Sequence, residues 1–167
     1  STEVLPVFKK TIDMIDHSCQ QIRTISHNLS PVSIRDFGLI TSIKNYCSKT
    51  ESLHPLSIIF QHFGNNIQLP KNIETVIYRI VQELVNNIIK HADATEALVQ
   101  INSYDSNLFI TVEDNGKGFQ NSNDTTGIGL KNIASRISFL NAQLEEDHHE
   151  KGTTFNINID LNKIPIT

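Results

Sequence analysis

No run of lysine or arginine forms a stripe along this 167-residue chain, whose 14 basic residues are outnumbered by 18 acidic ones for a net charge of -4 and a pI near 5.9. A protein that neutralises backbone phosphates needs such a stripe, so DNA and RNA are not expected partners. Cysteine is nearly absent: Cys19 and Cys47 are the two present, and they follow no metal-ligand spacing. No apolar stretch approaches a signal peptide or a spanning helix. These absences predict a cytoplasmic chain with reduced thiols and no direct membrane contact. Internal repeats and low-complexity tracts are missing as well. At this length one real core can form, burying roughly two thirds of the unfolded surface, and two full domains cannot. One domain plus an appendage is expected.

Hydrophobic periodicity supplies the elements. Phe8, Ile12, Ile15, Cys19, Ile22, Ser26 and Leu29 recur at alternating spacings of four and three, the seam of a helix packed lengthwise on another, and Pro31 ends it. A second, shorter helix is predicted over 34–46, with Phe37, Ile40 and Ile43 apolar. A strand over 56–63 precedes the turn Gly64-Asn65-Asn66. Pro70 then starts a helix at a first-turn position, running to about Ala92 with Ile73, Ile77, Ile80, Leu84 and Ile88 on its apolar stripe. Strands over 96–104 and 108–114 read as a hairpin. A helix over 128–140 stops at Asn141, a residue suited to a left-handed cap. Strands over 143–147 and 153–161 make a second hairpin. Between the two hairpins the polar run Gln120 to Thr126 is expected to be a mobile loop. Strands outnumber helices without strand-helix-strand regularity. The predicted class is α+β: a two-layer sandwich with a mostly antiparallel mixed sheet under helices.

Chemistry concentrates where the strand Leu108 to Asp114 meets Asn115-Gly116-Lys117-Gly118-Phe119. Alternation puts Asp114 on the face of Leu108, Ile110 and Val112, so its carboxylate ends an apolar stripe and needs a partner. The exocyclic amine of adenine would supply a donor, whereas guanine presents a carbonyl there. An ordinary turn is the competing reading of Asp-Asn-Gly, and a calcium loop lacks its alternating ligands and closing Glu. On the helix ending at Ala92, Arg79, Glu83, Asn86, Asn87 and Lys90 fall within about 100 degrees of one another. A solvated polar face would explain them, but paired amides are poor helix formers and ask for a reason. Magnesium offers one: an Asn carbonyl oxygen and phosphate oxygens make a plausible shell, with Glu83 holding a metal water or taking a proton. Lys90 could pair with phosphate, and His91 would stand behind it. Gly127 and Gly129, opening the helix that starts at Ile128, would let phosphate approach free backbone N–H groups.

In order and spacing, Glu83 to Ala92 resembles the N box of sensor histidine kinases, and Asp114-Asn115-Gly116-Lys117-Gly118-Phe119 resembles their first glycine box. Thr126-Gly127-Ile128-Gly129-Leu130 and Gly152-Thr153-Thr154-Phe155 resemble the second glycine box and the closing Gly-Thr. The resemblance covers about residues 56 to 162 and implies the Bergerat-type ATP-binding fold shared with gyrase, MutL and heat-shock chaperone ATPases. Gln21 to Pro31 with Gly38-Leu39 resembles the second helix of the dimerisation domain in kinases paired with helix-turn-helix response regulators. The implied organisation is a dimerisation remnant over 1–30, a connecting helix over 31–55 and a catalytic domain over 56–163.

The implied roles are that Asp114 reads adenine, that Asn87 ligates Mg with Glu83 reaching it through water, and that Glu83 and Asn87 are catalytic. ATP contacts would come also from Lys90, His91, Gly116, Gly118, Gly127, Ile128, Gly129, Leu130 and Thr153. The implied partners are ATP, a dimerisation domain carrying the phosphoacceptor histidine, a response regulator and, in the full-length protein, a second copy. Whether the parent is anchored in the inner membrane is left open. In the family the acceptor His precedes an acidic residue on the first bundle helix, and here only His149 precedes one, in a hairpin. The chain therefore reads as a catalytic fragment that binds ATP without its own acceptor, His17 and His27 being structural. Two alternatives are a hydrolytic gyrase- or MutL-type ATPase, which would want a downstream lysine, and a dimerisation module with a degenerate nucleotide site.

Overall fold

The computed structural model describes residues 32–65, 67–118, 128–149 and 151–164. The chain divides into two compact units, Ser1–Val32 and Ser33–Thr167, and the described residues belong almost wholly to the second. The N-terminal seam with Cys19, His17 and His27, the polar loop Gln120 to Thr126, and Phe119 and Gly127 lie outside the described residues.

Among the described residues three helices, α1 (Val32–Leu53), α2 (Lys71–Asn87) and α3 (Ile128–Phe139), accompany five strands: β1 (Ser57–Gly64), β2 (Glu96–Tyr104), β3 (Asn107–Asp114), β4 (Gln143–His149) and β5 (Gly152–Asp160). The strands form one sheet in the order β1-β2-β3-β5-β4. Both expected hairpins are present, β2 with β3 and β4 with β5, and β3 pairs antiparallel with β5. Only β1 runs parallel to its neighbour β2, which obliges the chain to cross over between them through α2. This is the mostly antiparallel mixed sheet that the spacing of the elements predicts.

One face of the sheet is the core. Val99 and Ile101 of β2, Leu108, Ile110 and Val112 of β3, and Phe155, Ile157 and Ile159 of β5 are buried, and the residues between them are not. Against them pack Ile73, Ile77, Ile80, Leu84 and Ile88 of the α2 stripe, with Ile133 and Ile137 of α3. Each such side chain contributes about 1.5 to 3 kcal/mol of burial. The opposite face carries Ile59, Phe63, Tyr104 and Phe109 exposed.

Three local expectations need correction. The second helix is longer than 34–46, and its buried stripe is Ile34, Leu39, Ile43 and Cys47, while Phe37 is 61% exposed. Gly38, at φ 74 and ψ 178, breaks the helix and resets its phase, so a stripe drawn straight through it picks the wrong residue. Pro70 is the N-cap of α2, its carbonyl accepting the Glu74 N–H, and Lys71 is the first helical residue. The α-helix also ends at Asn87, and Ile88–Ala92 is a single π-turn. Asn141 does adopt the left-handed conformation expected of it, at φ 49. Buried at the α1 seam, the Cys47 thiol is pushed up to about 12 by desolvation, which leaves it inert.

Candidate functional site

The C-terminal ends of α2 and β3 and the start of β5 come together around Asp114. This carboxylate is 6% exposed, in line with its place at the end of the β3 stripe. Its Oδ1 accepts the Gly116 N–H at 2.8 Å, and the Thr153 backbone N–H is a second donor. Burial raises its pKa above the usual carboxylate range; the two donors oppose that, and the neighbouring Glu113 carboxylate reinforces it. Thr153 is itself buried, directly opposite Asp114 in the β3–β5 register.

The turn after Asp114 is built by its neighbours. Asn115 Oδ1 accepts the Thr95 and Glu96 N–H groups at 2.9 Å each, and its amide donates to Thr95 Oγ1 at 3.0 Å. The Lys117 N–H donates to the Ala92 carbonyl at 2.8 Å, and Lys117 Nζ meets Asp93 Oδ2 at 2.7 Å. That ion pair is exposed on both sides and contributes little by itself. A Cβ on Gly116 would run into the Ala92 carbonyl, so only glycine lets the turn lie against the π-turn. Sequence reasoning misses these contacts by Asn115, Thr95 and Lys117. The one signal for them is the Asx-Gly turn itself, which says nothing of what the Asn side chain will grip.

Gly152 also makes a close approach. It holds φ 134, and an added Cβ would overlap the Asp114 carbonyl oxygen. Gly152→Ala is expected to destabilise the fold by about 2 to 4 kcal/mol, the sum of a glycine-only backbone and an overpacked contact. Urea denaturation would register this as a lower midpoint, and a stability loss below about 1 kcal/mol would contradict the close approach.

On α2, Glu83 and Asn87 stand one turn apart and both face the first turn of α3. A Cβ on Gly129 would overlap Glu83 Oε1 and come within 3.5 Å of Asn87 Oδ1. Asn86 turns the other way: its Oδ1 accepts the Tyr46 hydroxyl at 3.2 Å, tying α2 to α1. Arg79 also departs from the polar face expected of it. It is 9% exposed and donates from Nη1 to Gln82 Oε1 at 2.8 Å, and desolvation and the nearby Arg136 lower its pKa.

Lys90 and His91 carry exposed side chains on the π-turn, where the helical repeat no longer holds them in the Glu83–Asn87 row. Gly118, at φ 64, abuts the carbonyl of His149 at the end of β4. Leu130 is half-buried against the core, and Ile128 is the first residue of α3. The structure thus brings together Glu83, Asn87 and Gly129, and separately Asp114, Gly116 and Thr153.

A helix bearing paired side-chain oxygens over a mixed sheet, with a buried strand-end carboxylate and close-approach glycines, sets the class of domain. The chain belongs to the histidine kinase-, DNA gyrase B- and HSP90-like ATPase family, whose model matches residues 72–163. Within that class its likenesses are to sensor kinases. It is 30% identical over 161 residues to the signal transduction histidine-protein kinase/phosphatase DegS of Brevibacillus brevis, a match covering 95% of this chain and 42% of the relative.

Among solved structures, it resembles the histidine kinase domain of the Erythrobacter litoralis EL346 blue-light activated histidine kinase. The TM-score is 0.62 at 24% identity, over 75% of this chain and 62% of that one. It also resembles the Acinetobacter baumannii histidine kinase AdeS, with a TM-score of 0.63 at 15% identity, over 92% of this chain and 82% of that one. At these identities the structural likenesses speak to fold. The chain spans less than half the length of the curated relative that it matches. Among the described residues no helix is long and apolar enough to cross a membrane.

Proposed function

We propose that this domain binds Mg-ATP and that the protein containing it transfers the γ-phosphoryl group to a histidine of a dimerisation domain, for relay to a response regulator. The observation that carries this is the convergence of the Glu83 and Asn87 side-chain oxygens on Gly129 at the start of α3. A helix N-terminus offers unpaired N–H groups to phosphate, and two oxygen ligands beside it suit a hard cation. That donor set fits magnesium, which keeps waters and takes phosphate oxygens beside one or two protein ligands. Bound there, magnesium would neutralise charge on the phosphate oxygens.

The rest falls to the chain's own residues. Asn87 would lend its amide oxygen to the metal, and Lys90 and His91 would approach the phosphates from the exposed π-turn. Ile128, Gly129 and Leu130 offer the amides of the α3 start, while Gly116, Gly118 and Thr153 shape the floor around the base. Asp114 accepts the adenine amine. In the transfer, the bond between the γ-phosphorus and the oxygen it shares with the β-phosphate breaks as a P–N bond forms to the acceptor imidazole. ADP leaves, and Glu83 takes the imidazole proton. Residues 1–30 would then belong to a dimerisation bundle, 31–55 connect it, and 56–163 form the catalytic domain, in a cytoplasmic homodimer.

Calorimetric titration of the chain with Mg-ATP and Mg-GTP tests the nucleotide reading. ATP is expected to bind roughly tenfold or more tightly, the worth of one charge-assisted hydrogen bond to the right base. Equal affinities would sink the assignment of Asp114 as the base-reading group.

A further inference from the structure

The helix α1 is jointed. Gly38 holds a backbone conformation essentially confined to glycine, and it parts a segment ending at Phe37 from one beginning at Leu39. A break of this kind strands the last carbonyls of the first segment and the first N–H groups of the second. Both ends meet the first turn of α2. Lys71 Nζ donates to the Ile34 carbonyl at 3.2 Å and to Glu74 Oε2 at 2.8 Å. Glu74 Oε1 lies 3.9 Å from where a Cβ on Gly38 would stand. The ammonium therefore sits at the negative end of one half-helix and the carboxylate beside the positive end of the other.

The burial of the pair is lopsided, with the Glu74 side chain 6% exposed and that of Lys71 54% exposed. Taking a carboxylate out of water for one half-exposed partner is costly as a simple ion pair. The joint also borders a cavity of about 420 Å³ lined in part by Phe37, Gly38, Leu39, Lys71 and Glu74. Of residues 34–37, Ile34 is buried, and Arg35, Asp36 and Phe37 are exposed.

We propose that Lys71 and Glu74 clamp this joint, one ion pair capping both halves of the broken helix and fixing the direction in which the chain leaves the domain. Under the kinase reading, on which the functional weight rests, the clamp at one end of α2 governs how a phosphoacceptor is delivered toward Asn87 at the other end.

Hydrogen exchange followed by mass spectrometry on the whole chain tests the clamp in Lys71→Met, Glu74→Gln and the double variant. Each single change is expected to speed exchange over residues 34–42 by roughly fivefold or more, with the β2–β3 hairpin unaltered. The double variant decides between a clamp and a plain ion pair. Removing both charges of a plain pair relieves the unpaired buried carboxylate and restores protection, whereas a clamp stays open. Unchanged exchange in the single variants, or recovery in the double, overturns the proposal. Should the Glu74 variants fail to fold, Lys71→Met, at a half-exposed position, still decides: unaltered exchange over 34–38 refutes the clamp. Protection is read without nucleotide, so the result stands whether or not the chain binds ATP.

Discussion

Asn87→Ala is expected to lower magnesium-dependent ATP affinity by about 100-fold, since loss of groups that merely support a metal ligand already costs 10- to 100-fold. The neighbouring amide is the control. Asn87 Oδ1 faces Gly129, whereas Asn86 Oδ1 is engaged by the Tyr46 hydroxyl on the other side of α2. Asn86→Ala should therefore cost about 1 kcal/mol of folding stability, the worth of a hydrogen bond, and leave nucleotide affinity nearly unchanged. Titrations with and without magnesium separate the effects, because the Asn87 deficit should shrink when the metal is withheld. A larger loss of affinity in Asn86→Ala would mean that the wrong face of α2 has been assigned.

The second large effect concerns Asp114. Asp114→Asn should weaken ATP binding by roughly tenfold to a hundredfold, a charge-assisted hydrogen bond being worth about 1.5 to 3 kcal/mol. Its pH dependence has a definite sign. Burial holds the pKa of Asp114 above its ordinary value in the folded chain, so the native state binds a proton more tightly than the unfolded one. The stability this contributes is fully present below the unfolded pKa and is lost as pH rises through the raised folded value. Adenine works against this, because its amine donates to the charged carboxylate and so favours proton release. ATP affinity should therefore climb with pH across that window, and calorimetry in buffers of different ionisation heat should record a released proton. Equal proton release from Asp114→Asn would remove Asp114 as its source.

How far these residues could be read from the sequence depends on whether their placement is local. The period-2 alternation that buries Leu108, Ile110, Val112 and Asp114 is a property of one strand, and it holds in the structure. The α2 stripe and both hairpins are similarly self-contained. Gly116 and Gly129, marked out by their spacing, do sit where backbone and side chains crowd closely. The features that escape a reading of the sequence are tertiary. Phe37 looks apolar and in phase, but Gly38 turns it outward. Arg79 looks like part of a wet face, but it is buried near Arg136. Asn87 is singled out by standing one turn from Glu83 and by the family resemblance, but what Asn86 does instead, accepting the hydroxyl of Tyr46 forty residues earlier, is tertiary.

The π-turn at Ile88–Ala92 has one more consequence. Such a turn spends about one residue more than an α-turn over the same rise, which makes it the structural form of a single-residue insertion. Deleting one residue there would restore α geometry and rotate the chain beyond it by about 100 degrees, carrying the Ala92 carbonyl away from the Lys117 N–H it accepts. Between Asn87 and Asp93, then, chain length is itself under constraint: the number of residues must stay fixed, independently of which side chains they carry.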